Sequence, residues 1–197
     1  MNDFVYNSCC NDCGKKITTK IELEEAVKGL ESDESSATYI YGNVNCWDVS
    51  SITDMSNLFK KFILFNQPLY CWNVSSVTEM GSMFKDTLLF NQPLNTWDVG
   101  MVKNMGEMFC NAWSFNQPLN NWEVSRVGNM TRMFYQSQKF QQNLCSWYIQ
   151  DHSTPTAVDM FYSSGCGDQS DPDFHTMISF CGTVDQPYCQ VSQSLEF

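Results

Sequence analysis

Large apolar residues return along the chain at a fixed interval. Tryptophan stands at positions 47, 72, 97, 122 and 147, which are 25 residues apart. The tryptophans at 47, 72, 97 and 122 are each followed by the same order of valine, methionine, a pair ending in phenylalanine, and a second phenylalanine. Such a period is typical of stacked structural units that bury their apolar side chains against their neighbours. Positions within a repeat are numbered below from the tryptophan, which is position 1.

The spacing inside one repeat predicts a short strand followed by a short helix or 3₁₀ segment. In the second repeat, residues 69–77 have the apolar spacing L-x-x-W-x-V-x-x-V, which matches the core of a leucine-rich repeat. Residues 77–84 then place apolar side chains at intervals of three and four, which favours a helix. The sequence therefore predicts an α/β fold, a leucine-rich-repeat-like solenoid of about five 25-residue coils with parallel strands.

The segment before the repeats has the features of an N-terminal cap. In residues 18–30, Thr19 and Glu22 form a capping box. One apolar face of this helix is expected to contain Ile21, Leu23, Val27 and Leu30. Residues 31–38 are acidic and serine-rich and are expected to be a linker, and residues 39–44 to be an extended lead-in. This gives a Cys-rich segment at 1–17 and a capping helix with its lead-in at 18–44.

The other end of the array is a degenerate copy. Met160 and Phe161 match the Met-Phe pair of earlier repeats with two extra residues inserted, and the Phe-Asn-Gln-Pro motif does not return. We expect a disulfide between Cys145 and Cys166 to staple this end, and we expect the next pair to be Cys181 with Cys189. The repeats then occupy 45–167, and a polar tail occupies 168–197. Cysteine pairing does not follow from sequence alone.

Composition and charge restrict the function. Apolar residues make up 43 % of the chain, so the chain is not mostly disordered, and the formal net charge is −11. This charge repels phosphate groups, so we expect neither nucleic-acid binding nor attachment to anionic membranes. We expect no membrane insertion, because no apolar run reaches about 18 residues. The 10 cysteines favour an oxidising, extracellular or cell-surface location, although the first residues do not read as a secretory signal.

The candidate binding surface is the outer face of the expected strands. It consists of polar residues at positions 2 and 24 of successive repeats, namely Asp48, Tyr70, Asn73, Asn95, Asp98, Asn120 and Glu123. The row at position 2 has two interpretations, a ligand-facing surface and a solvated face. A cation site there is disfavoured because hard cations need six or more oxygens.

Other polar groups have simpler interpretations. Asparagine and glutamine recur before Pro in the first three repeats and are expected to satisfy backbone groups of the neighbouring repeat. Cys46 and Cys71 occupy equivalent positions in adjacent repeats. The sequence is compatible with a disulfide between them and equally with two free thiols. Of the two glycosylation sequons, Asn129 is expected to be more accessible than Asn73.

No catalytic, metal or cofactor site is predicted. His152 and His175 are isolated, with no nucleophile or carboxylate in a recognisable order. The N-terminal cysteines at 9, 10 and 13 lack a fourth zinc ligand with suitable spacing, so disulfides or free thiols are favoured there.

The motif W-D-V-S-x-V-T-x-M-x-x-M-F, followed by F-N-Q-P-L, resembles the BspA-type leucine-rich-repeat surface proteins. These are also grouped as a mycoplasma-lipoprotein-type repeat family of unknown function. The resemblance covers about residues 19–166. It implies a secreted or surface-exposed recognition or adhesion module that binds a protein or carbohydrate partner, without catalytic activity. The alternative is a structural subunit or intracellular scaffold that packs in a larger complex.

Overall fold

The computed structural model describes residues 15–147, 154–174 and 181. Helix α1 spans Lys20–Ser32 and helix α2 spans Glu34–Tyr41, and two 3₁₀ helices lie at Val44–Cys46 and Cys145–Trp147. The rest of the described chain consists of turns joined by isolated parallel bridges. Most of these bridges lie at position 8 of successive repeats and link Asp54, Glu79, Asn104, Asn129 and Thr156 in order.

The predicted α/β solenoid with parallel strands is wrong, because the described residues contain isolated bridges but no β-strand or sheet. In the second repeat the amides of the expected strand bond locally. Trp72 N donates to Leu69 O at 3.1 Å, and Val77 N donates to Val74 O at 2.9 Å. An amide that closes a four-residue β-turn has no hydrogen left for a ladder to the next repeat. The Trp-x-Val segment therefore connects two turns, one closed by Trp72 and one that starts at Val74.

The expected helical segment of each repeat is also a series of turns. Phe84 N donates to Met108 O of the next repeat at 2.9 Å, whereas the preceding amide, Met83 N, bonds back to Met80 O at 3.2 Å. This alternation recurs along positions 9 to 15, and an α-helix would instead need bonds to the fourth residue back. Non-glycine residues with positive φ recur at positions 11 and 15: Asn57, Lys61, Ser82, Asp86, Glu107, Asn111, Arg132, Gln136, Asp159 and Ser163.

The core consists of rings stacked in register from repeat to repeat, and its assignment from the repeat pattern is confirmed. Phe84 stacks on Phe59 at 5.4 Å and on Phe109 at 5.5 Å between ring centroids. The second phenylalanine and the tryptophan form two further columns, with spacings of 5.8 Å for Phe65 on Phe90 and 6.5 Å for Trp72 on Trp97. All these rings are buried. Offset stacking adds to the stabilisation that burial gives.

Helix α1 lies against the first repeat, where Lys20 Nζ donates to Asp54 Oδ2 at 2.8 Å. Thr19 is its N-cap, and the Thr19 side chain accepts a bond from Glu22 N at 3.2 Å. Glu22 does not complete the expected capping box, because its carboxylate accepts from Thr18 N instead. The buried face contains Leu23, Ala26, Val27 and Leu30. Ile21, which was expected on this face, is 70 % exposed.

The predicted linker at 31–38 and extended lead-in at 39–44 are wrong, since α2 occupies most of this stretch. Asp33 caps α2, and its carboxylate accepts from Ser35 N at 3.1 Å and Ser36 N at 3.2 Å. An aspartate N-cap satisfies amides that lack a partner in the first helical turn. The helix ends at Gly42, whose φ of 77° is a conformation that glycine adopts without steric cost.

Side chains close the last repeat. In earlier repeats the amides of positions 11 and 15 donate to carbonyls of the next repeat. In the last repeat Asp159 N donates to the Asp171 carboxylate at 2.7 Å, and Ser163 N donates to the Gln169 side-chain oxygen at 2.9 Å. These two oxygens take the place of a further repeat, so the segment after Gly165 acts as a cap.

A disulfide joins Cys166 to Cys181, across a sequence separation of 15 residues. The predicted pairing of Cys145 with Cys166, and that of Cys181 with Cys189, are therefore wrong. Cys145 is also disulfide-bonded, as is Cys71. Cys46 is free, which excludes a bridge from Cys46 to Cys71. Cys189 and the cysteines at 9, 10 and 13 lie outside the described residues.

Candidate functional site

The position 2 residues, which were expected to face a ligand, form local turns. Asp48 Oδ1 accepts from Ser50 N at 3.1 Å and from Ser50 Oγ at 2.6 Å. These bonds hold the pKa of Asp48 below its ordinary value. Asn73, Asp98 and Glu123 accept from the position 4 amide of their own repeats in the same way. Each of these side chains therefore stabilises its own turn, and one of its acceptor atoms is already used within the protein.

The position 24 residues are also engaged. Asn95 Oδ1 accepts from Asn121 N of the next repeat at 2.9 Å, and Asn95 Nδ2 donates to Asn120 Oδ1 at 3.4 Å. Tyr70 is half-buried. The structure aligns these residues from repeat to repeat, but much of their hydrogen-bonding capacity is used within the stack.

The structural interpretation of the Asn-Gln rows is confirmed. Asn66 Oδ1 accepts from Asn91 N at 2.9 Å and from Gln92 Nε2 at 3.1 Å. Asn91 makes the same two bonds to the third repeat. These amides satisfy backbone donors between repeats and so stabilise the stack.

A polar groove of about 400 Å³ runs across the first four repeats. It is lined by positions 10 and 11 of those repeats, from Ser56 and Asn57 to Thr131 and Arg132, together with two side chains of position 8. The position 8 side chains are bonded to each other, with Asn129 Nδ2 donating to Asn104 Oδ1 at 3.0 Å. We call this surface the polar groove.

Glycines in the polar groove make room for these asparagines. A Cβ at Gly106 would lie 2.6 Å from Asn129 Nδ2, and a Cβ at Gly81 would lie 3.0 Å from Asn104 Nδ2. Both distances are too short for a side chain to be added without movement of the amide. The absence of a Cβ at Gly81 and Gly106 therefore leaves the space that the two asparagine amides occupy.

The charges in the polar groove are paired. Glu107 accepts from Lys85 Nζ at 2.8 Å, and this hydrogen bond lowers the pKa of Glu107 and raises that of Lys85. Arg132 forms an ion pair with Asp159 at 3.3 Å, and its guanidinium lies over the Tyr135 ring. The groove consequently contains one acidic and one basic side chain, each with a partner.

The expectation that Asn129 is the more accessible sequon is wrong. Asn129 is half-buried in the polar groove, and its Nδ2 is bonded to Asn104. Asn73 is exposed, and its Oδ1 accepts the Ser75 hydroxyl at 2.8 Å.

A second surface consists of exposed apolar side chains at positions 17 and 18. Ile63 is 50 % exposed, Leu64 72 %, Leu89 47 % and Trp113 45 %. Backbone bonds join these positions across three repeats, since Leu89 N donates to Ile63 O at 3.2 Å and Ser114 N donates to Leu88 O at 3.1 Å. We call this set the apolar ridge.

Sequence reasoning missed both surfaces. The groove depends on how turns of adjacent repeats meet, which no single repeat reveals. The ridge had a signal, because positions 17 and 18 change from Ile-Leu to Leu-Leu, Trp-Ser and Gln-Lys while the flanking phenylalanines stay constant. Variable side chains on a constant frame are where repeat proteins place their binding residues.

Other candidate chemistry is limited in the described residues. They hold no group of three or more His, Cys, Asp or Glu side chains that could bind a metal ion. His152 and His175 lie outside the described residues. Burial raises the pKa of the free thiol Cys110 to about 11, which suppresses its nucleophilic form. No helix in the described part of the chain has the length and hydropathy needed to cross a membrane.

Comparison with known proteins gives a family for the repeats. A family model described as "Mycoplasma protein of unknown function, DUF285" matches residues 28–147, from the middle of α1 to the last repeat tryptophan. No curated protein and no solved structure matches the chain. Because the matched region covers more than half of the sequence and nearly all of the repeats, the chain belongs to this Mycoplasma repeat family of unknown function.

Proposed function

We propose that the chain is a recognition module without catalytic activity that binds a protein partner through the apolar ridge. The observation that supports this is the contiguity of Ile63, Leu64, Leu89 and Trp113, which are exposed whereas the Trp and Phe rings at positions 1, 13 and 19 are buried. Exposed apolar patches on folded proteins typically mark interaction sites. Tryptophan is also among the residues that contribute most to binding energy at interfaces.

The charges beside the ridge indicate the chemistry of the partner. Lys60 and Lys61 precede Ile63 in the first repeat, and all three are exposed. Lys139 N donates to Trp113 O at the other end, and Lys139 is exposed too. These lysines lie in a chain whose net charge is −11. We therefore expect a partner surface with apolar side chains flanked by carboxylates, whose association rate falls as salt is added.

The test is capture with a photo-crosslinking amino acid. The crosslinker is placed at Leu64 or Trp113, and in a control at Tyr39, which is 92 % exposed on α2. The proposal predicts one protein crosslinked from both ridge positions and not from Tyr39. The double variant Leu64→Ala and Trp113→Ala should weaken binding of that protein by about 100-fold, as the loss of two contacts of 1–2 kcal/mol implies.

Two results would overturn this proposal. In the first, the same protein is captured equally from Tyr39, and the double variant binds it normally. In the second, the ridge positions crosslink only to another copy of the chain and light scattering shows a defined oligomer. The second result would instead support the alternative function, a structural subunit that packs in a larger assembly.

We also propose an extracellular or cell-surface location, consistent with the BspA-type resemblance of the repeats. The bonded state of Cys71, Cys145, Cys166 and Cys181 supports it, because such bonds persist in oxidising compartments. Mass spectrometry of protein from its native source, alkylated without reductant, tests this. Alkylation of Cys166 and Cys181 in freshly lysed cells would contradict the proposal.

A further inference from the structure

The composition of the polar groove restricts what it can bind. Every lining residue is either polar or glycine, so the groove has no apolar side chain with which to bind a lipid or a hydrophobic peptide. Its volume of about 400 Å³ lies within the range of roughly 300–1,000 Å³ that small-molecule sites occupy. A ligand there must be held by hydrogen bonds.

The groove contains donors that the described part of the protein leaves unused. Asn104 Oδ1 accepts from Gly106 N at 3.0 Å and from Asn129 Nδ2 at 3.0 Å. Its Nδ2, in contrast, has no hydrogen-bond partner among the described residues. The Thr131 hydroxyl also has none there. These groups belong to positions whose backbones are bonded to adjacent repeats, so they are held in place before any ligand arrives.

Charge disfavours anionic ligands and cations in the polar groove. Glu107 and Arg132 balance each other within the lining, and both already have ion-pair partners. The net charge of −11 disfavours a phosphorylated or sulfated ligand. The single carboxylate of the groove is too few oxygens for a hard cation. A neutral molecule rich in hydroxyls fits the groups that are present, because a hydroxyl donates to Glu107 and accepts from Asn104 and Arg132.

We propose that the polar groove is a binding site for neutral carbohydrate, separate from the apolar ridge. Asn104 Nδ2, the Thr131 hydroxyl and the Arg132 guanidinium bind the sugar hydroxyls in this assignment. Stacking of Arg132 on Tyr135 at 5.5 Å keeps its guanidinium in place at one end of the groove.

The experiment measures binding of the full chain to neutral tetrasaccharides of glucose, mannose and N-acetylglucosamine by saturation-transfer NMR and calorimetry. Sulfated tetrasaccharides and tetraglycine are the rival ligands. The variant Asn104→Asp keeps an oxygen for both bonds that Asn104 Oδ1 accepts and replaces the free donor with a negatively charged acceptor, a change of charge that the control Asn73→Asp shares. Arg132→Ala removes the guanidinium at the cost of one exposed ion pair.

Each groove variant should weaken binding of the neutral sugar by about tenfold, the effect of one hydrogen bond to a charged or well-placed donor. The matched controls are Asn73→Asp, at a position where other repeats carry Asp, and Arg126→Ala, the other arginine of the chain. Both should bind as the unmodified chain does. Thermal melting confirms that all four variants fold.

Three results would overturn the proposal: no saturation transfer to any neutral tetrasaccharide at millimolar concentration, binding that both groove variants leave unchanged, or transfer to the sulfated sugar or tetraglycine alone. A folded Arg132→Ala chain with lost sugar binding and normal crosslinking at Leu64 would show that the two surfaces act independently.

Discussion

The indole Nε1 of Trp97 donates to the carbonyl of Leu69 at 3.0 Å, across 28 residues of sequence. The same carbonyl accepts from Trp72 N at 3.1 Å. Trp72, Trp122 and Trp147 repeat this relationship with the carbonyls of Val44, Leu94 and Leu119. Each of these tryptophans therefore has two roles: its ring fills the core, and its indole N–H donates to the carbonyl three residues before the preceding tryptophan.

Replacing Trp97 with phenylalanine tests the second role. The variant keeps an aromatic ring but loses the buried hydrogen bond and leaves a small cavity. We expect the free energy of unfolding to fall by about 2–3 kcal/mol, from the lost bond and the lost packing together. Denaturant unfolding measures this.

Trp113→Phe is the control, because Trp113 is exposed and is not part of the tryptophan column. It should change the free energy of unfolding by no more than about 0.5 kcal/mol. Equal losses in the two variants would show that the indole N–H of Trp97 contributes nothing specific.

The cap formed by Asp171 can be tested by removing only its acceptor. Asp171→Ala leaves Asp159 N without its 2.7 Å partner. We expect a loss of about 1 kcal/mol and faster hydrogen exchange in the last repeat. Asp171→Asn retains a side-chain oxygen and should behave nearly as the unmodified chain. If Asn and Ala give the same exchange rates, the cap does not depend on this bond.

Left-handed residues in the turns give a prediction about glycine. Gln136 has a φ of 56°, a conformation in which a Cβ is unfavourable. Gln136→Gly should leave the free energy of unfolding unchanged or raise it by up to about 1 kcal/mol, since the relief of strain offsets the greater entropy of glycine.

Gln138, two residues later and outside the positive-φ set, is the matched control. Gln138→Gly should destabilise the chain by about 0.5–1 kcal/mol, because only the entropy cost remains. Thermal or denaturant unfolding of both variants decides the matter. Destabilisation by Gln136→Gly as large as that by Gln138→Gly would contradict the structure of the turn.

The Lys85–Glu107 pair predicts a pH dependence. Lys85 lowers the pKa of Glu107 below its ordinary value of 4.5, so Glu107 binds a proton more readily in the unfolded chain. Its contribution to stability is fully present above about pH 4.5 and is lost as the pH falls through the lowered folded-state pKa. Denaturant unfolding at a series of acidic pH values should show this loss.

Glu107→Gln removes the titrating group, so stability should fall less steeply with acid than in the unmodified chain. Lys85→Met is the complementary variant, because it removes the side chain whose hydrogen bond lowers the pKa of Glu107. Its stability should also fall less steeply with acid than that of the unmodified chain. Identical slopes for all three proteins would mean that Glu107 has the same pKa in the folded and unfolded states.

Much of the core could be read from the sequence. The 25-residue period identifies the residues that stack from repeat to repeat, and those of the three aromatic columns are buried. The Thr19 cap and the buried face of α1, apart from Ile21, were also recognisable. The family match over 28–147 falls on the same repeats. Periodicity identifies the core because each repeat has to bury apolar side chains at the same positions, and this burial is the main stabilising contribution.

Several further features depend on the tertiary structure. Apolar residues spaced by three or four fit a helix and equally fit successive turns. Amides that donate to carbonyls of the next repeat cannot form the hydrogen bonds of a helix, and this pairing is visible only in the folded stack. The pairing of Cys166 with Cys181 depends on a Cα separation of 5.0 Å, which the spacing of cysteines along the chain does not reveal.

The candidate surfaces show the same division. The side chains at position 2 were expected to be available to a ligand, because the pattern of residues does not show the turn in which they accept a bond from the position 4 amide. The polar groove exists only where turns of adjacent repeats meet. The sequence alone determined which side chains are buried, since that depends on their chemistry and spacing. The tertiary structure decided which polar groups remain available, since a hydrogen bond depends on which atoms come within reach.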